Sequence, residues 1–184
     1  AERGYRELAQ ILLENGADVD GWEWRRPLSA AASHGQDEMF SFLVKAGADV
    51  SYLEQEPGFP LAQAALGGYE TMIHILISHG VNIKAAGEKA VINAMLGGHD
   101  NIVNILLGFG VEKPHSSVLV KHLHKSAKSG FEDWVRNLIA QGVDMDAPHP
   151  ILNATPLWIA TRFNHPHLSK TLVELGAKYS LPTR

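Results

Sequence analysis

Hydrophobic residues recur along this chain as short clusters on one helical face, each followed by a glycine and a polar loop. Met39, Phe40, Leu43 and Val44 fall at i, i+1, i+4 and i+5, a single stripe of a 3.6-residue helix. Met72, Ile73, Leu76 and Ile77 repeat the spacing. So do Ile102, Val103, Leu106 and Leu107, and Trp134, Val135, Leu138 and Ile139. The glycines that close these clusters are Gly16, Gly47, Gly80, Gly110, Gly142 and Gly176, at intervals of 31, 33, 30, 32 and 34 residues. A period of about 33 residues predicts a stacked repeat architecture.

A second glycine lies twelve residues upstream in each unit: Gly4, Gly35, Gly68, Gly98 and Gly130, with Asn164 in the last. Gly, and less readily Asn, tolerates the left-handed backbone that closes a helix. Each unit therefore carries two helix stops and two short helices. The first helix is built from small residues, as in Leu28-Ser29-Ala30-Ala31-Ala32 and Leu61-Ala62-Gln63-Ala64-Ala65, which let neighbouring helices approach closely. Two such helices cannot bury their apolar faces alone, so the units must stack.

Thr155-Pro156-Leu157-Trp158-Ile159-Ala160 resembles the ankyrin-repeat signature T-P-L-H-x-A. Arg26-Pro27-Leu28 and Phe59-Pro60-Leu61 keep its Pro-Leu core, with Pro at a first helical position. Lys89-Ala90-Val91 and Lys121-His122-Leu123 lack the Pro, and only His124 keeps the signature His. The resemblance implies an all-α solenoid in which each unit is a β-turn finger followed by an antiparallel helix pair. Fingers and first helices would form a concave face, second helices a convex back. It implies a structural, hydrogen-bonding role for His124. The expected organisation is one array over 1–184, with units at 1–20, 21–53, 54–83, 84–115, 116–148 and 149–184. The first unit is expected to lack its first helix, because Ala1 to Gly4 is too short to hold one. Neither end reads as a polar cap, so an excerpt of a longer protein, or ends covered by a partner, is expected.

Composition narrows the chemistry. The chain has 184 residues, 45% of them hydrophobic, and no stretch near the roughly 20 apolar residues of a membrane span. It has no cysteine, hence no disulfide framework and no Cys-based zinc site. No signal-peptide pattern opens it, so an intracellular, cytoplasmic location is the default expectation. The net charge of -4 argues against bulk electrostatic binding of nucleic acid. No phosphate-cradling loop, G-x-S-x-G elbow or H-E-x-x-H motif occurs, so neither catalysis nor a cofactor is expected. His122 and His124, like His165 and His167, are two residues apart and do not share a helical face, so no metal site is expected either. Asn153 occupies the finger-turn slot that favours Gly, which points to a conformational role.

The candidate contact residues follow from what is unusual in fingers and first helices. Trp22, Trp24, Arg25 and Phe59 place aromatic and basic side chains at turns, where packing gives little reason for them. Ile151 and Leu152 occupy the last finger. His34, Arg162 and Phe163 stand at first-helix ends. Lys121, Lys125 and Lys128 follow one another at i, i+4 and i+7 and share one face, suited to an acidic partner. The fourth finger, Lys84-Ala85-Ala86-Gly87, is the shortest and is expected to leave a notch beside Leu66 and Leu96. The primary expectation is a protein-interaction module. The alternatives are a small-molecule or enzymatic cleft near repeats three and four, with His34 as an acid–base group, or a structural spacer.

Overall fold

The structure is a computed structural model that describes residues 2–21, 26–51, 53 and 59–179. Among the described residues the regular structure is entirely α-helical. Among those residues eleven helices are described, in order: α1 (Glu2–Glu14), α2 (Pro27–Ser33), α3 (Asp37–Lys45), α4 (Phe59–Gly67), α5 (Glu70–Ser78), α6 (Ile83–Gly97), α7 (Asp100–Gly108), α8 (Ser116–Ser129), α9 (Glu132–Ala140), α10 (Pro156–Arg162) and α11 (Pro166–Glu174). From α2 onward they alternate as first and second helices of successive pairs.

The repeated glycines end helices as their spacing predicts. Gly16, Gly47, Gly80, Gly110, Gly142 and Gly176 take φ values between 84° and 98°, and Gly35, Gly68, Gly98, Gly130 and Asn164 between 61° and 78°. After each second-helix glycine, the next N–H reaches back to a leucine carbonyl five residues earlier. Ala48 donates to Leu43 at 3.0 Å, Val81 to Leu76 at 3.2 Å, Val111 to Leu106 at 3.2 Å, Val143 to Leu138 at 3.1 Å and Ala177 to Leu172 at 2.9 Å. The glycine itself donates to the carbonyl three residues before it, as Gly47 does to Val44 at 3.1 Å. This six-to-one closure satisfies carbonyls that a helix end otherwise leaves bare.

First helices vary in length for a reason visible in the sequence. At α2 and α10 a Pro holds the first helical position, and the residue before it is extended: Arg26 at φ −79°, ψ 117° and Thr155 at φ −77°, ψ 160°. The helix cannot begin earlier, because the pre-proline residue disfavours the α region. Where Ala90 and His122 replace the Pro, nothing stops the helix from extending toward its N-terminus, and α6 and α8 run to 15 and 14 residues. The fourth finger therefore does not project at all; Lys84 to Gly87 are part of α6. Gly87 lies there because the backbone passes close to Val111, whose Cγ2 would sit 2.5 Å from an added Cβ. Gly4 departs from its expected role as well. It lies inside α1, which occupies the first unit as one helix.

The chain divides into two compact units, Ala1–Ala94 with Asn101–Glu112, and Met95–Asp100 with Lys113–Arg184. In the first, Phe40, Leu61, Met72, Ile73, Leu76, Ile102 and Leu106 are fully buried. Asp20 accepts the Asp49 N–H at 2.8 Å, and the Asn93 amide donates to the Ala62 carbonyl at 2.9 Å, tying neighbouring repeats. In the second unit Leu123, Val135, Leu138, Leu168 and Leu172 form the core. There the Asn137 amide caps the Leu96 carbonyl at 2.8 Å, and Asp146 accepts the Lys178 N–H at 2.9 Å. The Thr171 hydroxyl donates to Glu132 at 2.7 Å, linking α11 to α9.

Two stability outcomes are expected. Leu106→Ala, at a position with no exposure, should cost ~2–5 kcal/mol by urea unfolding. Leu12→Ala, at 51% exposure, should cost clearly less, and equal losses would contradict the stacked-seam account. Gly87→Ala should destabilise the protein although Ala is favoured over Gly inside helices by about 1 kcal/mol, because the stiff Val111 side chain blocks its methyl. Adding Val111→Ala should recover part of the loss; a stabilising single substitution would refute the close approach.

Candidate partner-binding surface

The most developed surface lies on α8 and α10 of the second unit. Lys121, Lys125 and Lys128 are exposed along one face of α8, a stripe of about 10 Å at 1.5 Å per residue. Neither they nor Arg162 make an ion pair among the described residues; the ion pairs of this unit are Arg136–Glu132 and Lys170–Glu174. At the end of the stripe the Lys128 ammonium lies 5.1 Å from the centroid of the Phe163 ring, a cation–π contact. Phe163, which caps α10, stays 45% exposed beside exposed Arg162. The packing of α10 against α8 therefore brings together residues that are 35 positions apart in sequence. Burial first, and then the charge of Lys125, pulls the His122 pKa below the ordinary imidazole range.

The last finger is organised by its own hydrogen bonds. The His149 N–H donates to the Ala154 carbonyl at 2.8 Å, and the Asn153 N–H to the His149 carbonyl at 2.9 Å. Asn153 takes φ 47°, the left-handed role its slot implies. The Nδ1 atom of His149 accepts the N–H groups of both Ile151 and Leu152 at 3.2 Å. These bonds hold two apolar side chains out at the tip, Ile151 87% and Leu152 54% exposed. The finger base is bound to α8. His124 is buried, its Nε2–H donates to the Ala147 carbonyl at 2.9 Å, and its ring meets the His149 ring edge-on at 5.1 Å. The structural role implied for His124 is therefore present. Burial pushes its pKa down, with the Ala147 carbonyl opposing the shift.

The other expected contact residues are scattered. Trp22, Trp24 and Arg25 lie outside the described residues, as does the side chain of Phe59, the first residue of α4. His34 is exposed at the C-cap of α2, where its Nδ1–H donates to the Ala30 carbonyl at 2.9 Å. Leu66 is half-buried on α4. Leu96 corrects the sequence reading. It is only 4% exposed, in the last turn of α6 beneath the Asn137 cap, and offers no surface to a ligand. The notch expected beside it is unsupported, since its finger is part of α6. The sequence reading also missed a groove in the first unit of about 480 Å³ between α1, α2 and α3, lined by Tyr5, Leu8, Leu12, Ala30 and Met39 among others. The exposed stripe of α1 signals it, but only the fold places α2 opposite.

Known proteins resolve the repeat type. The family described as ankyrin repeats in three copies matches residues 28–117. Residues 28–117 are ankyrin repeats. Its ankyrin repeats resemble the ankyrin repeat domain of human ASB11, at TM-score 0.54 and 28% identity over 84% of this chain and 71% of that one. The ankyrin repeat domain-containing protein SAT10 of Stachybotrys chartarum is 24% identical over 97% of this chain. This chain spans only 10% of SAT10's length. Among the described residues no helix is long and apolar enough to cross a membrane, and no three His, Asp or Glu side chains are grouped to hold a metal ion.

The buried imidazole makes a pH prediction. A histidine with a lowered native pKa binds fewer protons folded than unfolded, so stability is full above the unfolded value and falls with pH below about 6.5. Urea midpoints should drop on acidification from neutral pH, and His124→Gln should flatten that drop. An unchanged slope in the variant would place the titration elsewhere.

Proposed function

We propose that this ankyrin-repeat chain binds an acidic protein segment through the finger and first-helix side chains of its second unit. Ankyrin repeats are generally protein–protein interaction modules, and their fold is typically non-enzymatic. The observation that carries the finer reading is the exposed stripe of Lys121, Lys125 and Lys128, free of ion pairs among the described residues and ending on the Phe163 ring. A stripe of one sign attracts the opposite sign and steers its approach. Because α8 and α10 are already packed, little backbone ordering remains to oppose association. Nothing favours an enzymatic cleft: His34 is engaged as a helix cap, with no polar side chain bonded to its ring among the described residues.

The test is charge reversal. For a partner identified by cross-linking and mass spectrometry, Lys121→Glu with Lys125→Glu should weaken binding about tenfold or more at low ionic strength, and by much less at high salt. Unchanged affinity at low salt would remove the stripe from the interface.

A further inference from the structure

We propose that the partner segment is acidic and apolar at once, with a bulky apolar side chain packed on the Ile151–Leu152 tip and its carboxylates along Lys121, Lys125 and Lys128. This rests on the acidic-partner reading above and adds its second half. Exposed ion pairs contribute little each, because water and salt screen them. Three exposed lysines therefore select for charge without holding a partner firmly. Durable binding needs apolar area removed from water, and the lysine stripe offers only the part-exposed Phe163 ring at its end.

The finger supplies that area in a fixed position. Ile151 and Leu152 are both exposed, yet their backbone N–H groups are held by one acceptor, the His149 ring. An exposed apolar pair on mobile backbone would cost ordering entropy on binding; this pair is already ordered. The finger also shares a foundation with the lysines. His149 packs on His124, which lies on α8 between Lys121 and Lys125. The finger that carries the apolar tip is thus anchored on the helix that carries the lysines. Asn153, with its left-handed φ, keeps the tip in this form. His149 is a positioning residue and touches no partner in this account.

The test is selection from a display library of random dodecapeptides on the immobilised protein. Selected peptides should combine at least two acidic residues with a Leu, Ile, Phe, Trp or Met close by. The best of them, synthesised and measured by fluorescence anisotropy, should bind Ile151→Ser/Leu152→Ser about tenfold more weakly, with an unchanged salt dependence. Lys121→Glu/Lys125→Glu should weaken the same peptide and flatten its salt dependence. Both tip side chains are exposed, so thermal unfolding of the tip variant should match the parent. Ile151→Ala, at the most exposed position, keeps the test open if the double variant is destabilised. Acidic peptides without an apolar residue, or full affinity in the tip variants, would overturn the apolar half and leave the lysine reading standing. Peptides without acidic residues, or no selection at all, would overturn both.

Discussion

Each second helix in this chain closes on a left-handed glycine, and the rest of the structure depends on that closure. The residue after the glycine bonds back to a leucine carbonyl, and that leucine is itself buried in the seam for Leu43, Leu76, Leu106, Leu138 and Leu172. One position thus does two things. Its carbonyl ends the helix and its side chain fills the core. The following residue, Ala48, Val81 or Val143, is nearly buried as well, which adds the apolar contact that accompanies this type of helix ending. A β-carbon in the left-handed region carries a steric cost, so glycine is the residue that allows the pattern to repeat.

First helices are under a looser constraint, and their variation reaches the surface. Proline at the first helical position frees the preceding residues to form a finger, as at Thr155-Pro156. Without it, α6 absorbs the residues that a finger would need, whereas the long α8 displays its lysines over successive turns. The surface of the second unit is the product of both cases. A long first helix without Pro carries the charge, and a short one with Pro leaves room for the finger that carries the apolar tip.

What could be read from the residues alone follows this division. The helix endings were legible, because Gly at a fixed spacing has one strong physical meaning, and even Asn153 and Asn164 took the backbone that their slots imply. Gly4 shared that spacing but lies inside α1, whose helix runs through it. Leu96 misled because the fourth finger looked short enough to leave a notch beside it; the finger is part of α6, and Asn137 closes over the turn from α9. The lysine stripe was legible as a helical face. Its contact with Phe163 was not, since that depends on how α8 and α10 pack. The acceptor role of His149 was invisible too, because a ring nitrogen that receives two backbone N–H groups leaves no mark in spacing or composition.

Native-state hydrogen exchange, read residue by residue by NMR, tests the shared helix ending most directly. The amides of Ala48, Val81, Val111, Val143 and Ala177 lie in loops but donate to leucine carbonyls. They should exchange as slowly as the interior amides of the helices they close, opening only with larger unfolding events. Exchange of these five amides at the fast rates of unbonded loop positions would contradict the account, whatever the helices themselves do.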